Sequence, residues 1–398
     1  MSNTLLTIDM ITNEALRIAH EKAQFIGTID RQYDKSFQKS GAQSGSSLRV
    51  RKPARYTVTT GRVMDVQDTT EEYDTITVAT QKHIGMRVNS SELALSIEDF
   101  SKLTLEPAVA QLISTVEYDA ITYATKKTAN IAGTANTAIT TLAAPGLARA
   151  RLNQMLAPKI DRSIQMDSVT MGGLVNGVAA YFAPGSEIGS QYKEGFVKRT
   201  AMADFYENER CWTMPNSADV AGTLDTYTVT EGDADLTVTG FSAAPVEGMV
   251  FTLAGVYDVH PETKQAYSAL KQFVVGSGST TTNIVYSPAI YSSASGVKQN
   301  VSALPATTAA VTFVGDASSS YAQPLMYQKE AFQLVVADLP LMADSHKCVS
   351  KVEEGLSMRV WQQSDIRNDE LLMRIDILYG IAALRPEWAC RLIGSKNT

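Results

Sequence analysis

Cysteine, histidine and tryptophan are scarce in this sequence, with three, four and three residues among 398. Cys211, Cys348 and Cys390 stand far apart and in no CxxC arrangement, which argues against a disulfide scaffold. They read as small buried side chains of a protein made in a reducing compartment. His20, His83, His260 and His346 are equally dispersed, so neither an HExxH helix nor a zinc-type Cys/His cluster can be drawn, and no GxSxG elbow is present. Cys348 has His346 and Lys347 beside it, a setting that can activate a thiol, but the alternation around it is that of an ordinary strand. Positive charge is not in excess either. Lys and Arg number 35 against 42 Asp and Glu, a net charge of −7 that argues against a dedicated nucleic-acid binder. An acidic protein surrounding DNA would nevertheless avoid sticking to it. No apolar run approaches the roughly 20 residues of a membrane span. The start, Met1-Ser2-Asn3-Thr4, lacks the layout of a signal peptide, and Asp9, Asn13 and Glu14 interrupt any apolar stretch, so a soluble product synthesised inside the cell is expected.

What is present is an ordinary globular composition, 44% hydrophobic and 19% charged, long enough for two or three domains. The clearest element is a long helix over Leu105–Asn130. Val109, Leu112, Ile113, Val116, Ala120 and Tyr123 recur at helical spacing, with Glu117, Lys126 and Lys127 between them. Pro107 and Glu106 suit its start, Lys126 and Lys127 its end, and Gly133 its termination. At about 1.5 Å per residue it predicts a rod of roughly 35–40 Å, a spine for other elements to pack across.

Ahead of the spine, residues 8–26 read as an amphipathic helix with Ile11, Ala15, Ile18 and Ala19 on one face. Such a helix needs a surface, its own chain's or a neighbouring copy's. A polar, small-residue lead-in from Asp34 to Ser47 precedes two strand-like runs, Leu48 to Val66 and Tyr73 to Val88. Charge is segregated along this hairpin: Arg49, Arg51, Lys52, Arg55 and Arg62 on the first run, Asp65, Asp68, Glu71, Glu72 and Asp74 around the tip. It reads as a solvated hairpin or as an arm making complementary ion pairs with another subunit. Without interleaved aromatics, a phosphate-binding role is disfavoured. Asn89-Ser90-Ser91-Glu92 marks a helix start before Leu93, Leu95 and Ile97.

After the spine, Gly146–Leu156 reads as a short helix. Ser168–Gly173 reads as an apolar strand, followed by a small-residue turn and a second element over Leu174–Phe182 that Pro184-Gly185 ends. The glycines from Met171 to Gly177 fit neither GxGxxG nor GxxxxGK[ST]. From Ala221 to Ser320 the sequence turns Thr-, Ser-, Ala- and Val-rich. Turns at Glu231-Gly232-Asp233, Glu247-Gly248, Gly276-Ser277-Gly278 and Ser295-Gly296 separate short runs at Thr226–Thr230, Leu236–Thr239, Met249–Leu253, Gln272–Val275, Thr282–Tyr286 and Ala309–Val314. This predicts a small barrel or sandwich inserted into an α/β parent, which resumes with strands at Phe332–Ala337 and Leu371–Leu378. Glu231-Gly232-Asp233-Ala234-Asp235 imitates part of a calcium loop, but Ala243 stands where the closing glutamate belongs. Asn89-Ser90-Ser91 and Asn300-Val301-Ser302 match the glycosylation pattern, without meaning in a chain that is not secreted. So large a chain with so little catalytic currency favours an assembly protein, with no cofactor and no metal expected.

The C-terminal stretch Leu371-Leu372-Met373-Arg374-Ile375-Asp376-Ile377-Leu378-Tyr379-Gly380-Ile381-Ala382-Ala383-Leu384-Arg385-Pro386-Glu387 resembles the closing segment of tailed-phage major capsid proteins. In those proteins a peripheral strand ends in Tyr-Gly or its equivalent, and a nearby Arg-Pro returns the chain to the axial domain. The order of parts is similar too. Glu247-Gly248-Met249-Val250-Phe251-Thr252-Leu253-Ala254-Gly255-Val256 resembles the inserted β-barrel of coat proteins from short-tailed Salmonella phages. Ala254-Gly255-Val256 match, while Met249 replaces an aspartate of that run.

The resemblance implies an α+β fold, the major capsid fold shared by tailed phages and herpesviruses, with an inserted small β-barrel domain. Its expected parts are an N-terminal arm (1–34), an extended hairpin loop (35–90), a peripheral domain with the spine helix (91–137 and 340–380), an axial domain (138–220, 321–339 and 381–398) and the inserted barrel (221–320). It implies a virion shell protein forming hexamers and pentamers of itself, assembled in the host bacterial cytoplasm as a procapsid that expands. The implied partners are a scaffolding protein, a portal protein, a decoration protein in some shells, and packaged double-stranded DNA held without sequence-specific contact; no membrane is implied. Arg51, Arg55, Glu71, Glu72 and Asp74 are the expected intersubunit residues, and the N-terminal helix and hairpin are expected to overlap neighbours. Some members join Lys to Asn between subunits; of Lys35, Lys52 and Lys82, none is marked for that chemistry, and no cross-link is assigned. An α/β enzyme with an unrecognised site and a fibre-type structural protein are the alternative classes.

Overall fold

The structure is a computed structural model that describes residues 8–34, 47–51, 56, 58, 60–62, 66, 73–89, 101–178, 203–226, 229–341, 347–353, 355–365 and 370–396. The chain forms two compact units, one from residues 1–52, 73–120 and 332–384, the other from 53–72, 121–331 and 385–398.

The first unit is organised on the strand Glu370–Ala383. Asp376 pairs with both His83 and Arg359, and Leu378 with both Gln81 and Ala337. Thr80–Asn89 therefore runs along one flank, while Leu356–Asp365 and then Phe332–Ala337 divide the other. Lys347–Glu353 extends the sheet beyond Leu356–Asp365, and Asp30–Asp34 adds a parallel strand to Phe332–Ala337. Residues 375–380 are buried without alternation, because both faces of the strand are covered there. At Gly380 a Cβ would lie 2.5 Å from the Thr77 carbonyl, so the Tyr-Gly pair is required by a close crossing of backbone.

Helix α1 (Ile8–Lys22) buries Ile11, Ala15, Leu16, Ile18 and Ala19 on the two outer strands of this sheet, and Lys351 Nζ donates to Asn13 Oδ1 at 2.9 Å. Of the two surfaces expected for it, it takes its own chain's. The sequence places one helix over residues 8–26; the structure breaks it, and a single turn, α2 (Phe25–Thr28), follows. The spine helix α3 is Glu106–Lys127, about 33 Å at 1.5 Å per residue, and residues 106–120 and 121–127 fall in different units. It stops before Gly133, which belongs to a strand over Ile131–Gly133. Glu117, read as a polar spacer, is fully buried.

The first hairpin run is shorter than its composition suggests. Ser47–Arg51 pairs with Tyr73–Thr77, but Tyr56, Val58 and Thr60 lie in no strand. Pro53 lacks the N–H a ladder needs. The second run divides at Val78–Ala79, its first half joining the hairpin and its second the sheet. Asn89 closes that second strand opposite Glu370, and the remaining residues of the helix expected after it lie outside the described residues.

The second unit holds a five-stranded sheet in the order Ile131–Gly133, Ala389–Ile393, Leu325–Gln328, Arg162–Met166, Asp204–Glu207. Helices α4 (Ala143–Gln154) and α5 (Ser168–Val178) pack on it through Ala148, Leu152, Met171 and Leu174 against Ile164, Met166, Phe205 and Leu392. The segment read as strand, turn and second element is thus one helix. Asp167 Oδ2 accepts from the Thr170 amide at 3.0 Å and starts it, and Gly177 serves packing, since a Cβ there would lie 1.6 Å from the Thr140 carbonyl.

Six strands of this unit close a barrel: Ala221–Leu224, Asp235–Thr239, Val250–Val259, Ala266–Val275, Asn283–Ser287 and Ala310–Phe313. Closure removes the edges that a Thr- and Val-rich sheet would otherwise expose. Phe251 sits at its centre, with ring centroids of Phe273, Phe313 and Tyr286 at 5.6, 5.5 and 6.2 Å. The expected strand at Thr226–Thr230 is replaced by Ala221–Leu224; the Thr230 amide and hydroxyl are instead held by Asp233 in a turn. The chain enters and leaves the barrel along one short ladder, Thr213–Pro215 against Ser320–Ala322.

Candidate assembly surfaces

The hairpin is anchored at its base. Ile76 and Val78 are buried with Val335, Ala337, Leu378 and Ala382, and Val50 packs against the same cluster. Of the expected contact residues, Asp74 lies opposite Val50 and is partly exposed, while the backbone of Arg51 pairs with Tyr73. Arg55, Glu71 and Glu72 lie outside the described residues, as do Lys35 and Lys52. Lys82 is salt-bridged to Asp119 at 2.9 Å. Between the two limbs in sequence, Tyr56, Val58 and Val66 are exposed, Val58 almost fully at 97%.

Three buried polar joints hold the first unit in shape. Glu117 Oε1 accepts from the amides of Gln24, Phe25 and Ile26, the last two at 2.7 and 3.4 Å, so a carboxylate of the spine caps α2. Tyr379 donates to Asp119 Oδ2 at 2.7 Å; burial, with that carboxylate beside it, pushes the phenol far above its ordinary pKa. Asp376, fully buried, accepts from Arg359 at 2.6 Å and Arg374 at 2.7 Å, and Arg359 also reaches the Pro340 carbonyl at 2.7 Å. A buried carboxylate with two cationic partners is tolerable where either alone would not be.

In the second unit the barrel is fastened by polar contacts from several elements. Arg391, fully buried in an otherwise apolar strand, donates to the carbonyls of Thr128 and Gly248, at 2.5 and 2.7 Å. Burial lowers its pKa to about 9, which leaves it charged at neutral pH. Asp258 joins Lys271 at 2.9 Å within the barrel and Arg151 of α4 at 3.8 Å. Lys126 meets Glu247 at 3.2 Å. Sequence reasoning singles out none of these residues as a joint; the usable signals are a lone arginine in an apolar strand and a glutamate at a core position of the spine.

The segments that imitate binding motifs have structural work instead. Glu231 accepts from the Ser292 amide at 2.8 Å and from the hydroxyls of Ser292 and Ser295. Cys211 is shifted well above its ordinary pKa by burial, with Asp167 and Glu209 adding to it, and burial raises Cys390 to about 12. Both are therefore poor nucleophiles. Cys348 lies in the strand Lys347–Glu353 as the alternation predicts. Among the described residues no group of three His, Cys, Asp or Glu side chains is placed to hold a metal ion, and no helix is long and apolar enough to cross a membrane.

Residues 211–394 match the family model described as P22 coat protein, gene protein 5. Solved structures that resemble the chain include one titled Mycobacterium phage Che8, at 10% identity and TM-score 0.46 over 90% of this chain and 88% of that one. A capsid structure of the cyanophage P-SCSP1u has 11% identity and TM-score 0.45 over 99% and 91% of the two chains. The CUS-3 coat protein I-domain has 27% identity and TM-score 0.21, with 25% of this chain matching 97% of that one. No curated protein sequence matches the chain.

Proposed function

We propose that this chain, a tailed-phage coat protein and so a structural subunit and not an enzyme, builds its icosahedral shell through hexamers and pentamers of itself, first as a procapsid that then expands around double-stranded DNA. The observation that carries this reading is the reach of the family match. Residues 211–394 take in the barrel, the frame on both sides of it, and the central strand Glu370–Ala383 with its Tyr379-Gly380 pair.

In this reading residues 1–34 are the N-terminal arm, 35–90 the extended hairpin loop, 91–137 with 340–380 the peripheral domain, 138–220 with 321–339 and 381–398 the axial domain, and 221–320 the inserted barrel. Because α1 lies on its own sheet, the burden of reaching a neighbour falls on the hairpin. Arg51 and Arg55 on one limb, and Glu71, Glu72 and Asp74 on the other, would set register through charge complementarity. Binding energy spread over many weak contacts suits a shell that must correct errors during growth and then change state. A scaffolding protein, a portal protein and, on some shells, a decoration protein are the partners this role calls for. The packaged DNA would be held without sequence-specific contact, and assembly would take place in the host bacterial cytoplasm.

The test is electron microscopy of the purified protein, made with and without its scaffolding partner and fractionated by sedimentation. Closed shells or tubes of coat are expected; a monomer or small oligomer under both conditions would refute the reading. Reversing Arg51 and Arg55 together should block assembly while the subunit stays folded, and normal shells from that variant would remove the two arginines from the interface.

A further inference from the structure

Asn176-Gly177 is the one Asn-Gly pair in the sequence, and no Asp-Gly pair occurs. It lies within helix α5, in the glycine-rich stretch that fits no phosphate-loop pattern. Such a pair carries chemistry of its own. With no Cβ on the glycine, its peptide nitrogen is free to approach the asparagine Cγ and close a five-membered imide.

The fold restrains that closure at both residues. Asn176 is exposed, so water and base reach its side chain. Helical backbone, however, holds ψ near about −42° and directs the Gly177 N–H along the axis toward the carbonyl four residues back. To reach Cγ the nitrogen must swing out of the helix. Gly177 is also pressed against the segment before α4: a Cβ on it would lie 1.6 Å from the Thr140 carbonyl oxygen and 2.7 Å from the carbonyl carbon. Rotation about the Asn176 ψ therefore drags Gly177 off Thr140. One turn earlier, Leu174 is fully buried in the same core as Ile139 and anchors the helix there.

We propose that Asn176 is a self-modification site gated by α5, stable while the helix is closed and converted to aspartate and isoaspartate when the turn around it opens. Water is the only co-reactant. The Gly177 nitrogen gives its proton to solvent base and bonds to Asn176 Cγ; the Cγ–Nδ2 bond breaks, and the nitrogen leaves as ammonia after taking a proton back. Water then adds to one of the two imide carbonyls. Opening at Cγ gives aspartate in an unaltered backbone, whereas opening at the main-chain carbonyl gives isoaspartate, with one extra carbon in the main chain. That carbon breaks the helical hydrogen-bond register, so the turn cannot reclose on Thr140 as before. A transient opening is thereby made permanent, and a subunit that has lost this turn is marked. The site does not depend on shell formation.

The test is peptide mapping of the full chain in mildly alkaline buffer, native and in denaturing urea, with aspartate and isoaspartate products resolved. Conversion at Asn176 should be at least about ten-fold faster in urea, while Asn300, which precedes the β-branched Val301, stays intact in both. Gly177→Ala, compared in urea where packing no longer matters, should slow conversion about ten-fold, because the added methyl obstructs the nitrogen. Leu174→Ala loosens the same helix and should raise conversion in native buffer in step with amide exchange at Gly177. Should that variant fail to fold, the native chain at sub-denaturing urea concentrations supplies the same comparison. Equal rates in the native and unfolded chains, or conversion that does not follow Gly177 exchange, would overturn the gate. An Asn176 that stays intact in urea would overturn the site.

Discussion

Gln272 spends both ends of its side-chain amide on Ile131: Oε1 accepts from the Ile131 N–H at 2.8 Å, and Nε2 donates to the Ile131 carbonyl at 3.0 Å. A side chain of the barrel thereby imitates a strand partner for the edge of the five-stranded sheet. Gln272→Met keeps the volume and loses both bonds, leaving two peptide groups short of a partner. A loss of about 2–3 kcal/mol is expected, read as a lower urea midpoint with an unchanged slope.

Glu117 is the comparable case in the other unit. Glu117→Ala strips three amides of their acceptor and should cost about 2–3 kcal/mol, whereas Glu117→Gln keeps an oxygen in place and should cost about 1 kcal/mol. The local readout is amide exchange at Phe25 and Ile26, which should speed up in the alanine variant far more than in the glutamine one. Equal exchange in all three proteins would mean that the carboxylate does not cap α2.

Two glycines of α5 should respond in opposite directions to the same change. A methyl group added at Gly172 would meet nothing within 4 Å, so Gly172→Ala should stabilise by up to about 1 kcal/mol through helix propensity. At Gly177 the same methyl would collide with the Thr140 carbonyl at 1.6 Å, and Gly177→Ala should destabilise by about 1–3 kcal/mol or more. Thermal melting of the pair decides it.

Acid should weaken the second unit. The hydroxyl of Ser242 and two amides hold Asp219 below the usual carboxylate range, and Lys396 with Asn136 does the same for Asp316. Glu231 is raised by burial but lowered further by Ser292 and Ser295, with a net fall. Folded values below the unfolded ones mean that these contributions are complete above the unfolded pKa, near 4, and vanish as pH falls through the folded values. The urea midpoint should hold from neutrality to about pH 5 and then decline, and less steeply in an Asp219→Asn, Glu231→Gln, Asp316→Asn variant.

The spine, the amphipathic α1 and the barrel are legible in the sequence because each depends on local rules, a 3.6 or 2.0 period bounded by turn residues. The strand at Phe332–Ala337 can be read with its ends in place for the same reason. What escapes is decided by distant residues. Nothing near Glu117 announces that α2 starts beneath it, 92 residues away in sequence at Phe25, and nothing near Gly177 reveals the Thr140 carbonyl against which α5 packs. The proposed contact residues are legible as charge pattern alone, since charge segregation is written in the chain, whereas the complement proposed for it would lie on another copy.

The ladder of Thr213–Pro215 with Ser320–Ala322 also sets an order of events. It ties off a loop of about 100 residues, and closing so long a disordered loop would cost about 4 kcal/mol in chain entropy for three residue pairs of reward. Once the barrel has folded, its two ends already lie side by side and the closure is nearly free. The insertion should therefore act as the early nucleus on which the discontinuous frame is completed, with pulse-labelled amides of Phe251 and Phe273 protected before those of Tyr321 and Met214.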